Sequence, residues 1–416
     1  MVVSTTSQLA RVATGRTESF LAEDLELKRD ELSAAVAGKR ILAIGAAGSI
    51  GKSTIECMIG FDPETVVVVD QNENELAELI RGLRSRRQGL AIGDFRTIPM
   101  DYGSPAMRLL LHSEQRFDII LNFAAIKHVR SEKDVFSMLH MFDTNFRKQA
   151  QLLSWLSETG FAGRYFSVST DKAANPSSVM GASKRVMEHV MFWGEINPDN
   201  AFVVTSARFA NVAFSNGSLL EAFGRRIERR EPIPCPSDTR RYFVSLEESG
   251  HLCTLAALCA PHGAIVVPRL DPEKNLTLLE DVASTYIKAR GYEPVIYDDE
   301  DVARNSVDQD QAAGKWPLLM TPLNTMGEKP YEEFVGAHER LEEWGLPNLQ
   351  LVPYQQANGM PVGNWLKKLD RFYESAMSSE IPSPLQKEEL TDLLADIEPD
   401  FAKTHKSAGE MLDSRI

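Results

Sequence analysis

A glycine-rich turn between a short apolar strand and a helix constrains the fold of this chain more than any other feature. The turn spans residues 45–51, follows the apolar segment 40–44 and leads into a predicted helix over 52–59. Glycines spaced in this way permit a tight turn, close approach of a dinucleotide pyrophosphate, and close helix–strand packing. The helix N-terminus adds free N–H groups and its dipole. We therefore expect the cofactor phosphates to bind at Gly45, Gly48, Ser49, Ile50 and Gly51.

An acid ends the strand that follows this turn. Residues 65–69 are β-branched throughout, as in a strand that is buried on both faces, and Asp70 comes 19 residues after Gly51. A carboxylate there accepts hydrogen bonds from a ribose 2′-hydroxyl and repels a 2′-phosphate, which favours NAD over NADP. Asp101, beyond a third predicted strand, is a candidate for holding the adenine, with a plain turn acid as the equal alternative.

Strands alternate with helical stretches through the first half of the chain. This pattern predicts an α/β fold with a doubly wound, mainly parallel Rossmann sheet, a smaller α/β substrate-binding lobe and helical terminal extensions. We expect an N-terminal helical extension over 1–38, an NAD-binding domain over 39–210, a mainly substrate-binding lobe with returning segments over 211–354, and a helical C-terminal tail over 355–416.

Two later segments are predicted to lack regular structure. Pro232, Pro234 and Pro236 should break any helix or strand around them, because proline lacks an N–H donor. The acidic stretch 298–310 reads as an exposed loop after a helix at about 278–289.

Composition excludes several classes of protein. The 416-residue chain carries a net charge of −14, which argues against a nucleic-acid binder with a basic face. No apolar run approaches the roughly 20 residues of a membrane span, so we expect a cytoplasmic protein. The four cysteines have no metal-ligand spacing, so we expect no metal site.

A second polar segment follows the predicted strand at 163–168. It contains Thr170, Asp171 and Lys172. Ligands of a doubly wound sheet bind beyond the carboxyl ends of the strands, so these side chains should face the nicotinamide end of the cofactor. Met180 and Lys184 lie four residues apart in the next predicted helix and share one of its faces.

Several short motifs accompany this segment in a fixed order. They are Ala-Ala at 124–125, Lys-His-Val at 127–129, Ser-Thr-Asp-Lys-Ala at 169–173, Asn-Pro at 175–176, Met-Gly-Ala-Ser-Lys-Arg at 180–185, Arg-Phe-Ala-Asn-Val at 208–212, Arg-Tyr-Phe at 241–243 and Gly-Glu-Lys-Pro-Tyr-Glu-Glu at 327–333. From about residue 39 to 345 the chain thus resembles the extended short-chain dehydrogenases/reductases, and within them the nucleotide-sugar 4,6-dehydratases of the CapD-like polysaccharide-biosynthesis branch.

This resemblance implies a chemistry. Bound NAD takes a hydride from C4 of a sugar, a base removes the acidified C5 proton, an acid helps the C6 hydroxyl leave, and the hydride returns to C6. By the resemblance Lys172 is the candidate base and Asp171 the candidate acid, with Thr170 beside them. Burial would favour the neutral form of both groups, whereas an ionic contact between them would favour the charged forms.

Position 180 departs from the larger superfamily, which uses Tyr-x-x-x-Lys. Methionine neither donates nor accepts the C4 hydroxyl proton, although part of the CapD-like branch also has methionine here. Lys184, an ordered water, or Lys172 acting twice remain as candidate acceptors. The resemblance also implies that Lys184 binds the nicotinamide ribose.

Substrate-side residues must include cations, because a nucleoside diphosphate carries two negative charges. Arg241 is the main candidate, since a planar guanidinium matches phosphate oxygens. His128 is a substrate residue or a packing residue, and Glu328 closes the nucleotide pocket or caps a lobe. The further positions that the resemblance implies are Ala124 for the cofactor and Lys127, Asn211 and Ser218 for the diphosphate and sugar.

The function that these features favour is conversion of UDP-GlcNAc to a UDP-4-keto-6-deoxy-N-acetylhexosamine for surface polysaccharide. The UDP-sugar and its N-acetyl group come from the resemblance alone. A nucleotide-sugar 4-epimerase or 4-keto reductase is one alternative, and a non-catalytic NAD-binding scaffold is another. We expect a homo-oligomer, as is common in the family.

Overall fold

The computed structural model describes residues 6–85, 92–127, 132, 134–197, 201–322, 331–378 and 385–405. Its strands are β1 (Arg40–Ile44), β2 (Thr65–Asp70), β3 (Asp94–Pro99), β4 (Ile119–Asn122), β5 (Arg164–Val168), β6 (Val203–Ala207), β7 (Asn211–Val212), β8 (Ile233–Pro236), β9 (Arg240–Val244), β10 (Ala264–Pro268), β11 (Leu276–Leu278), β12 (Glu293–Tyr297), β13 (Lys315–Thr321), β14 (Glu342–Glu343) and β15 (Leu349–Pro353).

The helices follow the same chain order. They are α1 (Thr6–Thr14), α2 (Ala22–Leu27), α3 (Arg29–Val36), α4 (Ser49–Met58), α5 (Glu73–Arg84), α6 (Pro105–Ser113), α7 (Val135–Phe142), α8 (Lys148–Glu158), α9 (Val179–Met191), α10 (Leu219–Glu228), α11 (Leu246–Leu258), α12 (Pro272–Asn275), α13 (Leu279–Ala289), α14 (Glu300–Ala312), α15 (Val362–Ser378), α16 (Lys387–Ile397) and α17 (Pro399–Thr404). A π-helical turn at Asp143–Arg147 joins α7 to α8.

The central strands of the main sheet are buried on both faces. Leu42 and Ile44 of β1 point into one apolar core, which α6–α9 and α15–α17 cover. Ile41 and Ala43 point into the other core, which α2–α5 and α11 cover. Because neither face meets water, β1 and β2 are apolar or β-branched at nearly every position.

The strand order of this sheet is β3-β2-β1-β4-β5-β6-β10-β15-β14. The first seven strands run parallel, while β15 and β14 are antiparallel to their neighbours. The prediction of a doubly wound, mainly parallel Rossmann sheet is confirmed. The order reverses between β1 and β4, and the crevice beyond the carboxyl ends of these strands is where such sheets bind ligands.

Two small sheets form a second lobe. One has the order β11-β9-β7 and the other β12-β13-β8. Phe223, Tyr286 and Trp316 fill the core that α1, α10 and α13 share with these strands. The strands of this lobe lie in the chain on either side of β10, so the chain leaves the main sheet and returns to it twice.

Two sequence predictions for this lobe are wrong. The segment with alternating prolines is strand β8, and it lies at a sheet edge with β13 as its only partner strand among the described residues, where missing N–H donors cost little. The acidic stretch 298–310 is mostly helix α14, with Asp299 as its N-cap accepting from the N–H of Val302. Acidic residues in the first turn, Glu300 and Asp301, complement the helix dipole.

The terminal segments pack against the body of the protein. Leu21, the N-cap of α2, and Leu32 and Val36 of α3 enter one core of the main sheet. Trp365 of α15 and Phe401 of α17 enter the other. In the portion that the structure describes, no helix combines the length and apolar character needed to cross a lipid bilayer.

Candidate active site

The first glycine of the turn has a conformation and surroundings that admit no other residue. Gly45 has φ of +67°, in the left-handed region, and its N–H donates to the carbonyl of Val69 at 2.7 Å. A Cβ at this position would lie 2.5 Å from the backbone nitrogen of Ala124. The turn therefore packs against the end of β4, and any side chain would separate them.

The other two glycines serve different purposes. A Cβ on Gly51 would lie 2.4 Å from the Cα of Ala46, so this glycine allows the helix to start close to the turn. A Cβ on Gly48 would meet only the carbonyl of Gly45, at 3.6 Å. The space above Gly48 is therefore open to a ligand, as a pyrophosphate site requires.

Helix α4 begins directly behind this space. Gly48 is its N-cap, and no side chain of the described residues caps its first N–H groups. The backbone N–H groups of Ser49 and Ile50 lie in this first turn. Because no side chain caps them, they are available to an anion. The Ser49 hydroxyl oxygen accepts from the N–H of Asn216 at 2.9 Å, which ties the turn to the second lobe.

Asp70 lies against the turn at the end of β2. Its Oδ2 accepts from the N–H of Ala47 at 3.2 Å and its Oδ1 from the N–H of Asn72 at 3.0 Å. The carboxylate is thus held beside the turn, where the adenosine ribose of a dinucleotide would lie.

Asp101 is engaged by a cation. Its carboxylate lies 2.6 Å from the Nζ of Lys148, which also lies 3.0 Å from Asp143. Burial opposes ionisation of Asp101, but the hydrogen bonds from Lys148 and Gly103 outweigh it and hold its pKa below the ordinary value. The side chain predicted to hold adenine is therefore already part of an ion-pair cluster at the start of α8.

Two asparagines that the sequence reasoning missed hold the loop after β4. Asn122 accepts from the N–H of Ala124 at 3.1 Å, beside the glycine turn. Asn145, in the π-helical turn, accepts from the N–H of Ile126 at 2.8 Å and donates to the hydroxyl of Ser183 at 2.8 Å. The position of Asn122 at the end of a buried strand could have indicated a site residue. Nothing in the sequence indicates the π-helical turn that carries Asn145.

The predicted acid and base lie side by side just beyond the carboxyl end of β5. Asp171 is 3% exposed, and its Oδ1 accepts from the hydroxyl of Thr170 at 2.7 Å and from the N–H of Lys172 at 2.9 Å. The Nζ of Lys172 lies 3.2 Å from the same oxygen. The two groups therefore form an ionic contact.

A second carboxylate faces the same amine. Oε1 of Glu332 lies 3.9 Å from the Nζ of Lys172, and Glu332 is 5% exposed. Glu332 lies within the motif at 327–333, but it is 160 residues from Lys172 in the chain, and nothing in the sequence indicates this contact.

Met180 and Lys184 are both buried in α9. The Nζ of Lys184 donates to the carbonyl of Val168, the last residue of β5, at 2.7 Å. Burial lowers the pKa of Lys184 to about 7, against the opposing charge of Glu188. A largely desolvated amine therefore lies under the strand that carries Asp171 and Lys172.

Another buried carboxylate lies at the N-terminus of α9. Glu132 accepts from the N–H of Met180 at 2.8 Å. Burial raises the pKa of Glu132 to about 7, although the hydrogen bonds from Met180 and Val179 oppose this. No motif in the sequence marks Glu132 as a site residue.

A buried charge network supports the strand end from behind. Arg208, fully buried, lies 2.6 Å from a carboxylate oxygen of Glu188 and 2.5 Å from one of Glu339. Arg185 contacts both of these carboxylates, and Ser169 donates to Glu188 at 2.6 Å. Burial opposes ionisation of Glu339, but Arg208 lowers its pKa to about 2.

The substrate-side predictions fall near the junction of the two lobes. The Nζ of Lys127 donates to the carbonyl of Asn216 at 3.0 Å, and the N–H of Asn216 donates to Ser49 of the turn. The structure thus brings Lys127 close to the predicted phosphate site. Ser218 serves as the N-cap of α10 by accepting from the N–H of Glu221 at 3.2 Å.

Asn211 and Arg241 lie on adjacent strands of one small sheet. Asn211 of β7 pairs with Phe243 of β9, two residues beyond Arg241. Nη1 of Arg241 donates to the carbonyl of Arg240 at 2.9 Å. The predicted residues His128 and Glu328 lie outside the described residues.

Comparison with known proteins places this site in a family. A profile of the polysaccharide biosynthesis protein family matches residues 41–352. A protein of Methanocaldococcus jannaschii that bears a membrane-protein name is 29% identical over 73% of this chain and 83% of its own length. The capsular polysaccharide biosynthesis protein CapD of Staphylococcus aureus is 30% identical over 66% of this chain and 45% of its own length.

Enzymes with two different activities match over shorter lengths. An inverting UDP-N-acetylglucosamine 4,6-dehydratase of Campylobacter jejuni is 27% identical over 59% of this chain and 71% of its own length. A UDP-glucose 4-epimerase of Rickettsia canadensis is 27% identical over 58% of this chain and 69% of its own length.

The same architecture occurs among solved structures. The X-ray structure of Pen from Bacillus thuringiensis superposes with a TM-score of 0.62 at 19% identity, covering 86% of this chain and 97% of that one. The chain spans about half the length of CapD, so the activity of that whole protein does not transfer with the match. The family match covers most of the chain, and the chain belongs to the polysaccharide biosynthesis protein family.

Proposed function

We propose that this protein is an NAD-dependent nucleotide-sugar 4,6-dehydratase that converts UDP-GlcNAc to a UDP-4-keto-6-deoxy-N-acetylhexosamine for surface polysaccharide. The observation that carries the proposal is the contact between Asp171, which is buried, and Lys172 at 3.2 Å, beyond the carboxyl end of β5. We assign cofactor binding to residues 39–210 and substrate binding mainly to 211–354. We place the reaction in the cytoplasm.

The residues of the turn fit a dinucleotide. The left-handed Gly45, the open space above Gly48 and the uncapped start of α4 together suit a pyrophosphate. Asp70 supports NAD over NADP, because its carboxylate beside the turn would repel a 2′-phosphate. When bound, NAD would supply the hydride chemistry between C4 and C6 of the sugar, while a base takes the C4 hydroxyl proton and an acid returns a proton to C5.

The ionic contact is compatible with the chemistry if one proton moves. Transfer of a proton from Nζ of Lys172 to Asp171 across 3.2 Å gives a neutral amine and a neutral carboxylic acid. Substrate that displaces water favours this neutral pair, because charges cost more in a low dielectric. The pair then holds the base and the acid that the elimination needs.

The elimination returns the pair to its ionic state. The amine of Lys172 takes the C5 proton, and the acid of Asp171 gives its proton to the C6 oxygen, which leaves as water. Lys172 is then an ammonium and Asp171 a carboxylate. Two neighbouring groups therefore complete the elimination without a further proton donor.

The substrate assignment rests on the relatives. The Campylobacter jejuni enzymes named UDP-N-acetylglucosamine 4,6-dehydratases support UDP-GlcNAc. A 4-epimerase is the second candidate, because a UDP-glucose 4-epimerase also matches. The dehydratase is favoured because an epimerase has no need of the Asp171–Lys172 pair and normally uses a tyrosine where this chain has Met180.

One assay separates these functions. The purified protein is incubated with UDP-GlcNAc and NAD, and the nucleotide sugar is followed by mass spectrometry and by NMR. Loss of one water is the expected result. A product of unchanged mass with inverted C4 would instead establish an epimerase, and the absence of any product would favour a binding scaffold.

A further inference from the structure

One late segment of the chain covers the loop that carries the proposed acid and base. We call this segment, residues 332–339, the strap. Asn175 of the covered loop donates to Oε2 of Glu333 at 2.8 Å and accepts from the N–H of Ala337 at 2.9 Å. A Cβ on Gly336 would lie 2.5 Å from the carbonyl oxygen of Ala174, so the two backbones are in close contact.

The far end of the strap is fixed by buried charges. Glu339 accepts from Arg208 at 2.5 Å and from Arg185 at 2.5 Å, and it also accepts from the N–H of Gly336 at 2.7 Å. Arg208 donates in addition to the carbonyl of Phe334 at 3.1 Å. The strap is therefore held along its whole length, and its backbone has little freedom beside the loop.

The near end of the strap places a carboxylate against the proposed base. Oε1 of Glu332 lies 3.9 Å from Nζ of Lys172, whose side chain also contacts Asp171. Glu332 is 5% exposed, so water screens this contact poorly. The ammonium thus has one carboxylate from its own loop and another from a separate, rigidly held segment.

We propose that Glu332 is a positioning residue for Lys172, which fixes the amine in the site and sets how readily it releases its proton. The proposal rests on the proposed function, in which Lys172 is the C5 base. A negative charge within about 4 Å stabilises the ammonium form. Glu332 therefore keeps the amine near one position in the site.

Charge removal at this position has a defined sign. In Glu332→Gln the side chain keeps its size but loses its charge, so Lys172 gives up its proton more easily. Neutral amine therefore accumulates at lower pH than in the wild type. We expect a displacement of about one pH unit, since a partly screened charge at this distance is worth on the order of 1.4 kcal/mol.

The first measurement does not depend on activity. The wild-type protein with its NAD is labelled with acetic anhydride over a range of pH, and acetylation of Lys172 is quantified by peptide mass spectrometry. Only the neutral amine reacts, so the midpoint of labelling reports protonation. Glu332→Gln should move this midpoint to lower pH, and Glu332→Asp, which keeps the charge, should stay closer to the wild type.

A neighbouring residue supplies the matched control. Glu333→Gln weakens the contact of the strap with Asn175 but leaves the carboxylate at Lys172 in place. Its labelling midpoint should match that of the wild type. Equal midpoints for the wild type, Glu332→Gln and Glu333→Gln would overturn the proposal, as would an equal displacement in both variants, which would indicate general loosening of the strap.

The second measurement separates this proposal from the proposed function. The pH profile of water loss from UDP-GlcNAc should show both its acidic and its basic limb at lower pH in Glu332→Gln, because the pair that must carry one proton loses a neighbouring negative charge. The maximum rate should fall about tenfold through poorer placement of the amine. A wild-type protein that releases no water contradicts the dehydratase assignment alone. If the wild-type protein dehydrates UDP-GlcNAc but the pH profile of Glu332→Gln is the same as that of the wild type, only the role of Glu332 is contradicted.

Discussion

Oδ1 of Asp171 accepts three hydrogen bonds, and Lys172 donates two of them. The backbone N–H of Lys172 lies 2.9 Å from this oxygen and its Nζ 3.2 Å, while the hydroxyl of Thr170 lies 2.7 Å away. The Asp171 carboxyl and the Lys172 side chain are therefore held together just beyond the end of β5, and a ligand that engages either group would replace part of this arrangement.

The first prediction concerns the base. Lys172→Met should lower the rate of dehydration at least ~10³-fold, because removal of the C5 proton then has no positioned acceptor. NAD should stay bound, since the predicted phosphate and ribose contacts lie at the turn and at Asp70. Water loss is measured by mass spectrometry, and NAD by chromatography of the denatured protein. Dehydration that survives this change would show that Lys172 is not the base.

The sequence predicts those site residues that lie at the end of a recognisable strand or in a recognisable turn. The roles of Gly45 and Asp70 follow from their places at the ends of adjacent strands, and the same rule locates Asp171. The sequence does not predict contacts between segments that are far apart in the chain. Glu332 meets Lys172, and Glu339 meets Arg208, across more than 100 residues in each case. No local pattern marks such a partner in a single sequence.

The errors in the second lobe have a related cause. The prolines of β8 are acceptable only because this strand lies at an edge of its sheet, and the position of a strand in a sheet is a tertiary property. Helix α14 is strongly acidic, but Ala303 and Val307 place one apolar face against the lobe. Charge density alone therefore misled the prediction of a loop.

The second prediction separates folding from binding within the glycine turn. Gly45→Ala should destabilise the protein by about 2 kcal/mol or more, because a Cβ at positive φ is strained and would overlap Ala124. Gly48→Ala should leave the unfolding midpoint nearly unchanged and weaken NAD binding about tenfold or more, because its Cβ occupies the open space above the turn. Urea unfolding and calorimetric titration of NAD measure the two effects. Equal stability loss in both variants would contradict this division.

The third prediction concerns the choice of cofactor. Asp70→Ala should weaken NAD binding about tenfold, through loss of a charged hydrogen bond to the ribose, and should improve the relative binding of NADP. Asp62→Ala is a suitable control, since Asp62 follows the short 3-10 helix Ile59–Phe61, outside the glycine turn. Titration of each variant with both cofactors gives the ratio of affinities. A ratio that does not change in Asp70→Ala would show that this carboxylate does not select NAD.

The fourth prediction concerns the buried charge network. Arg208→Met leaves the carboxylates of Glu188 and Glu339 buried without their shared partner, so the free energy of unfolding should fall by about 3–5 kcal/mol. Arg304→Met removes an exposed pair with Glu300 and should cost no more than about 0.5 kcal/mol. Urea unfolding of both variants tests the difference. Similar losses at the two arginines would mean that the network contributes little to stability.

The fifth prediction concerns the pH dependence of stability. Burial raises the pKa of Glu132 from 4.5 to about 7, against hydrogen bonds from Met180 and Val179 and the charge of Lys387. Between these two pH values the folded protein holds a proton that the unfolded chain has released. The free energy of unfolding therefore falls as the pH rises through this range, and the loss is complete above about pH 7.

Glu132→Gln removes this titration. The stability of the wild type relative to Glu132→Gln should therefore decline by up to roughly 3 kcal/mol between pH 4.5 and pH 7, and then stay constant. Urea unfolding at half-unit steps of pH measures the decline. Glu388→Gln, which removes a carboxyl at an exposed position in α16, is measured beside it over the same range of pH as the matched control. A Glu132→Gln difference that does not vary with pH would mean that the Glu132 carboxyl ionises in the folded protein as it does in the unfolded chain, and that its burial has no electrostatic consequence.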